Sequence, residues 1–431
     1  MNNHPLTFHG EWWVPAVADR DTRMIAFNPE QMMGSETKYT GTLTYYENQD
    51  SILEIYHVLS NFHSHHYKYN DVMWGRDANG HIFTLFNVVI QDRPLGDMTN
   101  TVFDVGLILV GEHVLSSEDT RFGKCIVQFP YLRNWAFHNN ITDSNAGALT
   151  YFKMPLESTK LLEILHEDGC CWRLWQNQMI DRGMYDLTIT QTTEFEIKTS
   201  KPLSIWSYTK QVEEFAQFLS IALYCEQNPT KIVMKNYKDG RKSVLLFKKN
   251  ASVNPEKSSL IKFGLLKDKL SPMLNVWHKN YDKISPISSY LIDSLDKKNR
   301  FDVPDFLIIA QALDGYHKRF INKKDGRDVR KYEEQIDILL NQFKGVEVIK
   351  KCKINAEILK DTRHKYSHLY PDDEKSLAVE GDDLYWLTEK CKVLLTCCIL
   401  NMLGLTNKEI NLCCNLSPIS QIIDSLPLEI E

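Results

Sequence analysis

The chain has 431 residues, 43% of them hydrophobic and 25% charged, with a formal net charge of -6. That length exceeds one hydrophobic core and implies two or three domains, and the composition excludes a mainly disordered chain. The acidic balance excludes a uniformly basic nucleic-acid binder, so affinity for phosphate has to come from local clusters.

Up to about residue 200 the chain reads as strands. Thr40 to Tyr46, Ser51 to Leu59, Val72 to Trp74 and Ile82 to Ile90 are rich in β-branched and aromatic residues, and Asn79-Gly80 is a hairpin signal. Further strands are predicted at Val102 to Val110, Lys124 to Phe129, Leu161 to His166, Cys171 to Trp175 and Tyr185 to Ile197. Many short strands at turn-punctuated spacing predict a sandwich or barrel-like domain. Seven of the nine tryptophans occur by Trp206, which implies an aromatic-rich core or groove. Within this region His63 and His65 of His63-Ser64-His65-His66 would point the same way on a strand. No acidic or cysteine partner lies near them in sequence, so a loop is expected rather than a metal site.

At Tyr208 the period changes. Val212, Phe215, Ala216, Leu219, Ala222 and Leu223 share one helical face in a helix ending near Glu226. Strands at Lys231 to Tyr237 and Ser243 to Lys248 bracket the turn Lys238-Asp239-Gly240, and the polar stretch Asn250 to Ser259 reads as a linker. Helices are then predicted near Ile284 to Lys297, Val303 to Asn322, Asp328 to Phe343, Val346 to His368, Asp382 to Leu403 and Asn407 to Cys413, with Gly404 stopping the last long one. The expected fold is a multidomain α+β chain. A β-rich region spans 1–200, an α+β extension and linker 201–260, and an all-α helical bundle 261–431.

The ten cysteines include three adjacent pairs, Cys170-Cys171, Cys397-Cys398 and Cys413-Cys414, and no C-x2-C spacing, so buried free thiols are expected rather than disulfides or zinc. No apolar run reaches the roughly 18 residues that cross a bilayer. Met1-Asn2-Asn3-His4-Pro5 has neither the basic nor the apolar region of a signal peptide, and a cytoplasmic protein is expected. No P-loop, dinucleotide fingerprint or nucleophile elbow is present.

Chemistry concentrates in Arg363-His364-Lys365-Tyr366-Ser367-His368. Cutting RNA at its own 2′-hydroxyl requires a proton carrier and a fixed positive charge at the phosphate. Imidazole titrates near neutral pH and supplies the first. Guanidinium stays charged and can meet two phosphoryl oxygens, supplying the second. Just upstream, Lys318, Arg319, Lys323, Lys324, Arg327, Arg330 and Lys331 face only Asp325 and Asp328 within the same stretch, a candidate RNA-binding patch. The acidic groups Asp372-Asp373-Glu374 and Asp382-Asp383 could hold magnesium but fit a solvated loop and helix N-terminal charge.

Helical projection at about 100° per residue puts Ile354, Ile358, Leu359, Tyr366 and Leu369 on the core side and Arg363, His364 and His368 outside it. His364 and His368 stack one turn apart, but Arg363 and His368 diverge by about 140° on an ideal helix. Either the helix unwinds before Pro371 or a second copy of the chain completes the site.

The R-x4-H element resembles the signature of the HEPN superfamily of helical ribonuclease and nucleotide-binding domains. The stretch from Gln311 to Phe320 and the helix Tyr385 to Leu405 look like the flanking helices of ApeA-type HEPN proteins, bacterial anti-phage defence nucleases. Gly10-Glu11-Trp12-Trp13-Val14-Pro15 and Gly41-Thr42-Leu43-Thr44-Tyr45 look like the start of that family's β-rich N-terminal domain, so the resemblance covers nearly the whole chain. It implies a metal-independent endoribonuclease without cofactor, acting in abortive infection on RNA, with transfer RNA a reasonable target. Arg363, His364 and His368 would be catalytic, and Asp314 or His317 on the Gln311 helix would orient a histidine. The resemblance further implies a homodimer through the HEPN domain and an N-terminal sensor for a phage-derived trigger, protein in nature. Two alternatives stay open: a non-catalytic HEPN module that binds RNA or nucleotide, and a metal-dependent nuclease using the acidic loops.

Overall fold

The first six strands close into a barrel. A computed structural model describes residues 5–15, 38–56, 70–91, 100–137, 142–146, 149–153, 157–182, 184, 187–255, 258–296, 303–321, 323–324, 327–369 and 376–427. The His63 to His66 run and the acidic 372–374 stretch lie outside these residues. The barrel strands are β1 (Leu6–Trp13), β2 (Tyr39–Tyr45), β3 (Ser51–Ile55), β4 (Asn70–Asp77), β5 (Ile82–Ile90) and β6 (Thr101–Val110). They run in the order β6-β3-β2-β1-β4-β5, and β5 pairs back onto β6. Trp12, Leu43, Leu53, Phe83, Leu85 and Phe103 fill the interior, as expected for a small barrel without a lumen. Strand β1 was not among the predicted strands, because Gly10 interrupts its pattern. The glycine is there for close approach: a Cβ on it would lie 2.2 Å from the Arg76 carbonyl oxygen.

Strand β6 belongs to two sheets. Its first half, Thr101 to Val105, pairs with β3, and Leu107 to Val110 pair with β14 (Lys242–Phe247). From there a second sheet continues through β13 (Lys231–Asn236), β7 (Phe122–Gln128), β12 (Leu187–Leu203), β11 (Cys170–Arg182) and β10 (Thr159–Leu165). A separate hairpin joins β8 (Thr142–Ala146) to β9 (Leu149–Lys153), and a single turn forms α1 (Leu132–Trp135). Helix α2 (Ile205–Leu223) starts at the Ser204 cap, whose hydroxyl accepts from the Ser207 amide, and lays Tyr208, Phe215, Phe218 and Leu219 into the core. Phe215 stacks on Phe195 of β12 with centroids 3.8 Å apart.

The rest of the described chain is helical. Helix α3 (Lys267–Asp296) is followed by α4 (Val303–Tyr316), which runs into a π-helical turn at His317–Ile321 and a short hairpin of β15 (Lys323–Lys324) and β16 (Arg327–Asp328). Then come α5 (Tyr332–Gln342), α6 (Glu347–Cys352), α7 (Ala356–His368), α8 (Gly381–Met402), α9 (Asn407–Asn415) and α10 (Pro418–Asp424). Helix α3 is longer than predicted: it runs 30 residues through Pro272 and Pro286. Burial of Trp277, Ile284, Ile287 and Leu291 outweighs two lost backbone hydrogen bonds. The predicted helix from Val346 to His368 is broken into α6 and α7. Lys353 takes a left-handed conformation with φ 45°, and Asn355 restarts the helix by accepting from the Glu357 and Ile358 amides.

One apolar cluster is continuous from the second sheet through α2 and α3 to Ile423. All ten cysteines are free, nine of them buried and Cys171 partly so. No helix of the described residues is long and apolar enough to cross a membrane. Where sheet and helices meet, His278 of α3 bonds Glu214 of α2 at 2.8 Å and Asp168 of the β10–β11 turn at 3.3 Å. Its ring lies 4.1 Å from that of buried His166. Burial opposes a charge on His278, but the two carboxylates prevail and raise its pKa. Burial first, and the charge of His278 second, push the His166 pKa down to about 4.

Gly75 faces Trp12 across the β1–β4 ladder, and a Cβ there would lie 2.1 Å from the indole. Gly75→Ala should therefore destabilise the protein by about 1–3 kcal/mol or more, read from the midpoint of chemical unfolding. At the sheet–helix junction the signs oppose. Below pH 6.5 the unfolded chain protonates His166 while the folded one resists until about pH 4, so this residue costs stability as pH falls through that window. The raised pKa of His278 contributes stability at low pH that is lost as pH rises through its folded value. His166→Phe should accordingly flatten the fall of melting temperature between pH 6.5 and 4. A variant with the same acid-side slope as wild type would contradict the assignment.

Candidate active site

Helix α7 is amphipathic with a narrow buried stripe, Ala356, Leu359 and Thr362. Its back is pinned by the segment before α8. The Thr362 hydroxyl donates to the Ile358 carbonyl at 2.7 Å and accepts from the Val379 amide at 3.1 Å. Leu377 N–H donates to Asp361, and the Tyr366 hydroxyl donates to the Val379 carbonyl. With that side closed, Arg363, His364 and His368 are left on the outer surface. The helix ends at His368 because Leu369 is left-handed, with φ 52° and its N–H on the Lys365 carbonyl. This corrects the expectation that Leu369 faces the core: it is 86% exposed, since the αL turn rotates it off the helical stripe.

Arg363 lies between two other helices. Its guanidinium sits over the Tyr332 ring of α5, 4.5 Å from the centroid, and Nη2 is 3.5 Å from Oδ2 of Asp314 on α4. The same oxygen accepts from Lys318 Nζ at 2.9 Å. The His364 and His368 rings are 4.8 Å apart, as i,i+4 spacing dictates. Despite the divergence on an ideal helix, all three residues line one cleft of about 450 Å³ between α7 and the start of α5, together with Arg330, Lys331 and Tyr332. The long arginine side chain spans the angle that the backbone leaves open. A single chain therefore brings the arginine and both histidines onto one surface.

The other site candidates separate. Asp314 meets Arg363, and the π-helical turn carries His317 into the core. His317 is fully buried, and both ring nitrogens lack a hydrogen-bond partner among the described residues. Burial lowers its pKa, which keeps it neutral, and it does not line the cleft. Of the basic patch, Arg330 and Lys331 reach the cleft, Lys318 is turned to Asp314, and Arg319 donates to the Lys283 carbonyl of α3 at 2.7 Å. The side chains of Lys323, Lys324 and Arg327 lie outside the described residues, although their backbone forms the β15–β16 hairpin. Asp382 and Asp383 occupy the first turn of α8, where negative charge suits the helix N-terminus. Among the described residues no group of three His, Cys, Asp or Glu side chains is placed to hold a metal ion.

Three lining residues, Lys360, Glu333 and Tyr332, escaped the sequence reading. Lys360 stands one turn before Arg363 and His364 and pairs with Glu333 and Asp361 at 3.3 Å each, so helical spacing from the motif could have found it. Tyr332 gave no signal, because an aromatic residue at a helix start reads as core.

Asp314 is the shared acceptor for two cations, and Asp314→Asn should lower stability by about 1 kcal/mol, measured by urea unfolding. Lys318→Met should cost less, because its side chain is more than half exposed at 58%.

Two family models match the chain: the ApeA N-terminal domain 1 over residues 7–277 and the Apea-like HEPN domain over residues 307–409. No curated protein and no solved structure matches it. The first match takes in the closed barrel, the second sheet, α2 and the start of α3; the second spans α4 through the start of α9, including the Arg363 cleft. A β-rich region with a closed six-strand barrel followed by a helical HEPN region, both matched in this order, shows that the chain belongs to the ApeA-type HEPN family of anti-phage defence nucleases.

Proposed function

We propose that the Arg363 cleft cleaves RNA without a divalent metal. The ribose 2′-oxygen attacks the adjacent phosphorus as His368, assisted by His364, takes its proton. The bond from phosphorus to the 5′-oxygen breaks, and that oxygen receives a proton from the imidazole pair. Arg363 neutralises the phosphoryl oxygens as charge builds. Arg330 and Lys331 hold neighbouring phosphates. The products are a 2′,3′-cyclic phosphate and a 5′-hydroxyl. The observation that carries this reading is the convergence of the Arg363 guanidinium, two imidazoles and three further cations, Arg330, Lys331 and Lys360, on a single cleft. The family supports a place in abortive infection, with RNA, transfer RNA foremost, as substrate. It also supports restraint by the N-terminal region until a phage-derived protein trigger binds there, and a homodimer through the HEPN helices.

A non-catalytic module binding RNA or nucleotide is the competing reading, favoured by the contact that already engages Arg363 with Asp314. Total RNA incubated in EDTA with the protein, alone and in an extract of phage-infected cells that supplies the trigger, separates the two. The nuclease leaves cyclic-phosphate ends; a binding module leaves RNA intact, and a metal-dependent enzyme falls silent. Within an active protein, His368→Ala should slow cleavage at least about 100-fold and Arg363→Ala by about 10²–10³. Full activity in either folded variant would remove the assignment. Mixing the two variants tests the dimer: restored cleavage means that the sites are shared between protomers.

A further inference from the structure

Tyr332 is the first helical residue of α5, only 8% exposed, and its hydroxyl is committed to the Ala310 carbonyl of α4 at 3.1 Å. What it offers the cleft is the face of its ring, and the Arg363 guanidinium covers that face. We propose that Tyr332 is a positioning residue: a rigid aromatic shelf that holds the Arg363 guanidinium at the height and tilt at which its donors meet a phosphate in the cleft. The proposal rests on the reading of this cleft as the RNA-cleaving site.

Three physical points carry it. First, a cation over a ring uses the positive charge of the guanidinium and none of its N–H donors, so they remain for Asp314 on one side and for an anion on the other. Second, an arginine stem is flexible, and without a floor the guanidinium can swing fully onto Asp314 or out into solvent. Asp314 alone does not fix it, because its Oδ2 is 3.5 Å from Arg363 but 2.9 Å from Lys318, which is the nearer partner. Third, the shelf is itself immobile. Tyr332 is tied to α4 through Ala310, and α4 also carries Asp314, so floor and side wall of the arginine slot share one helix as reference. A lysine cannot use the slot in the same way, since an ammonium presents no planar fork to a phosphate.

Because the ring and not the hydroxyl performs the task, Tyr332→Phe and Tyr332→Leu separate positioning from folding. Both lose the bond to Ala310 and should lower the melting temperature, but only the leucine removes the aromatic face. With a labelled unstructured RNA oligonucleotide in EDTA, Tyr332→Phe should keep kcat near wild type. Tyr332→Leu should lower kcat by about tenfold, with KM within about twofold, since Arg330 and Lys331 still hold the strand. In an Arg363→Ala background, Tyr332→Leu should have no further effect on rate. Equal kcat for the two Tyr332 variants, or a loss confined to KM, overturns the shelf while leaving the cleft a nuclease. No cleavage by the unaltered protein above that of Arg363→Ala, either alone or in an extract of phage-infected cells that supplies the trigger, instead sinks the functional reading and the shelf with it.

Discussion

A single buried ammonium sets the frame on which the cleft is built. Lys392 of α8 is 1% exposed and holds Glu389 of its own helix at 2.9 Å, Asp305 of α4 at 3.2 Å and the Ser294 carbonyl of α3 at 3.1 Å. Three helices thus share one charge in a buried centre. Such a cluster adds little net stability over an apolar core, but removing one partner strands the others at a cost of about 3–5 kcal/mol. Sliding α4 against α8 would break it, so the register of α4 is fixed, and with it the position of Asp314 beside Arg363.

The site follows from that frame by exclusion. Helix α7 is held by Thr362 and Tyr366 to the segment leading into α8, which closes its inner face. Polar side chains are costly to turn inward without partners, and Arg363, His364 and His368 face the cleft beside α5. There the ring of Tyr332 and the carboxylate of Asp314 meet the guanidinium, while the imidazoles stay at the surface. A proton carrier needs water access and mobility, whereas the group that meets a developing charge gains from being fixed in advance. In the proposed reading, that division of labour falls to the half-buried arginine and the two exposed histidines.

Much of this was legible in local pattern. β-Branched and aromatic enrichment located most of the barrel strands, Asn79-Gly80 marked the β4–β5 turn, and the period change near Tyr208 marked α2. Spacing alone placed Arg363, His364 and His368 off the core side of α7. The misreadings share a cause, which is that neighbours distant in sequence decided them. Gly10 reads as a strand breaker until Arg76 is seen against it. The stretch from Lys267 to Lys283 was not among the predicted helices, and it is helical because Leu270, Leu274 and Trp277 are buried against distant elements. Leu369 reads as core until its left-handed turn is known.

The amino-acid order by itself determined the element types, the division into a β-rich first part and a helical second part, and the identity of the three motif side chains. These depend on period, capping and residue chemistry, all of which act within a few positions. Tertiary structure alone decided that β6 closes the barrel and continues into a second sheet, that His317 turns into the core while Asp314 faces Arg363, and that Tyr332 lies beneath the guanidinium. Each is a meeting of side chains or strands far apart along the chain. Backbone periodicity states which face a residue occupies, but the packing of the whole core selects what stands opposite.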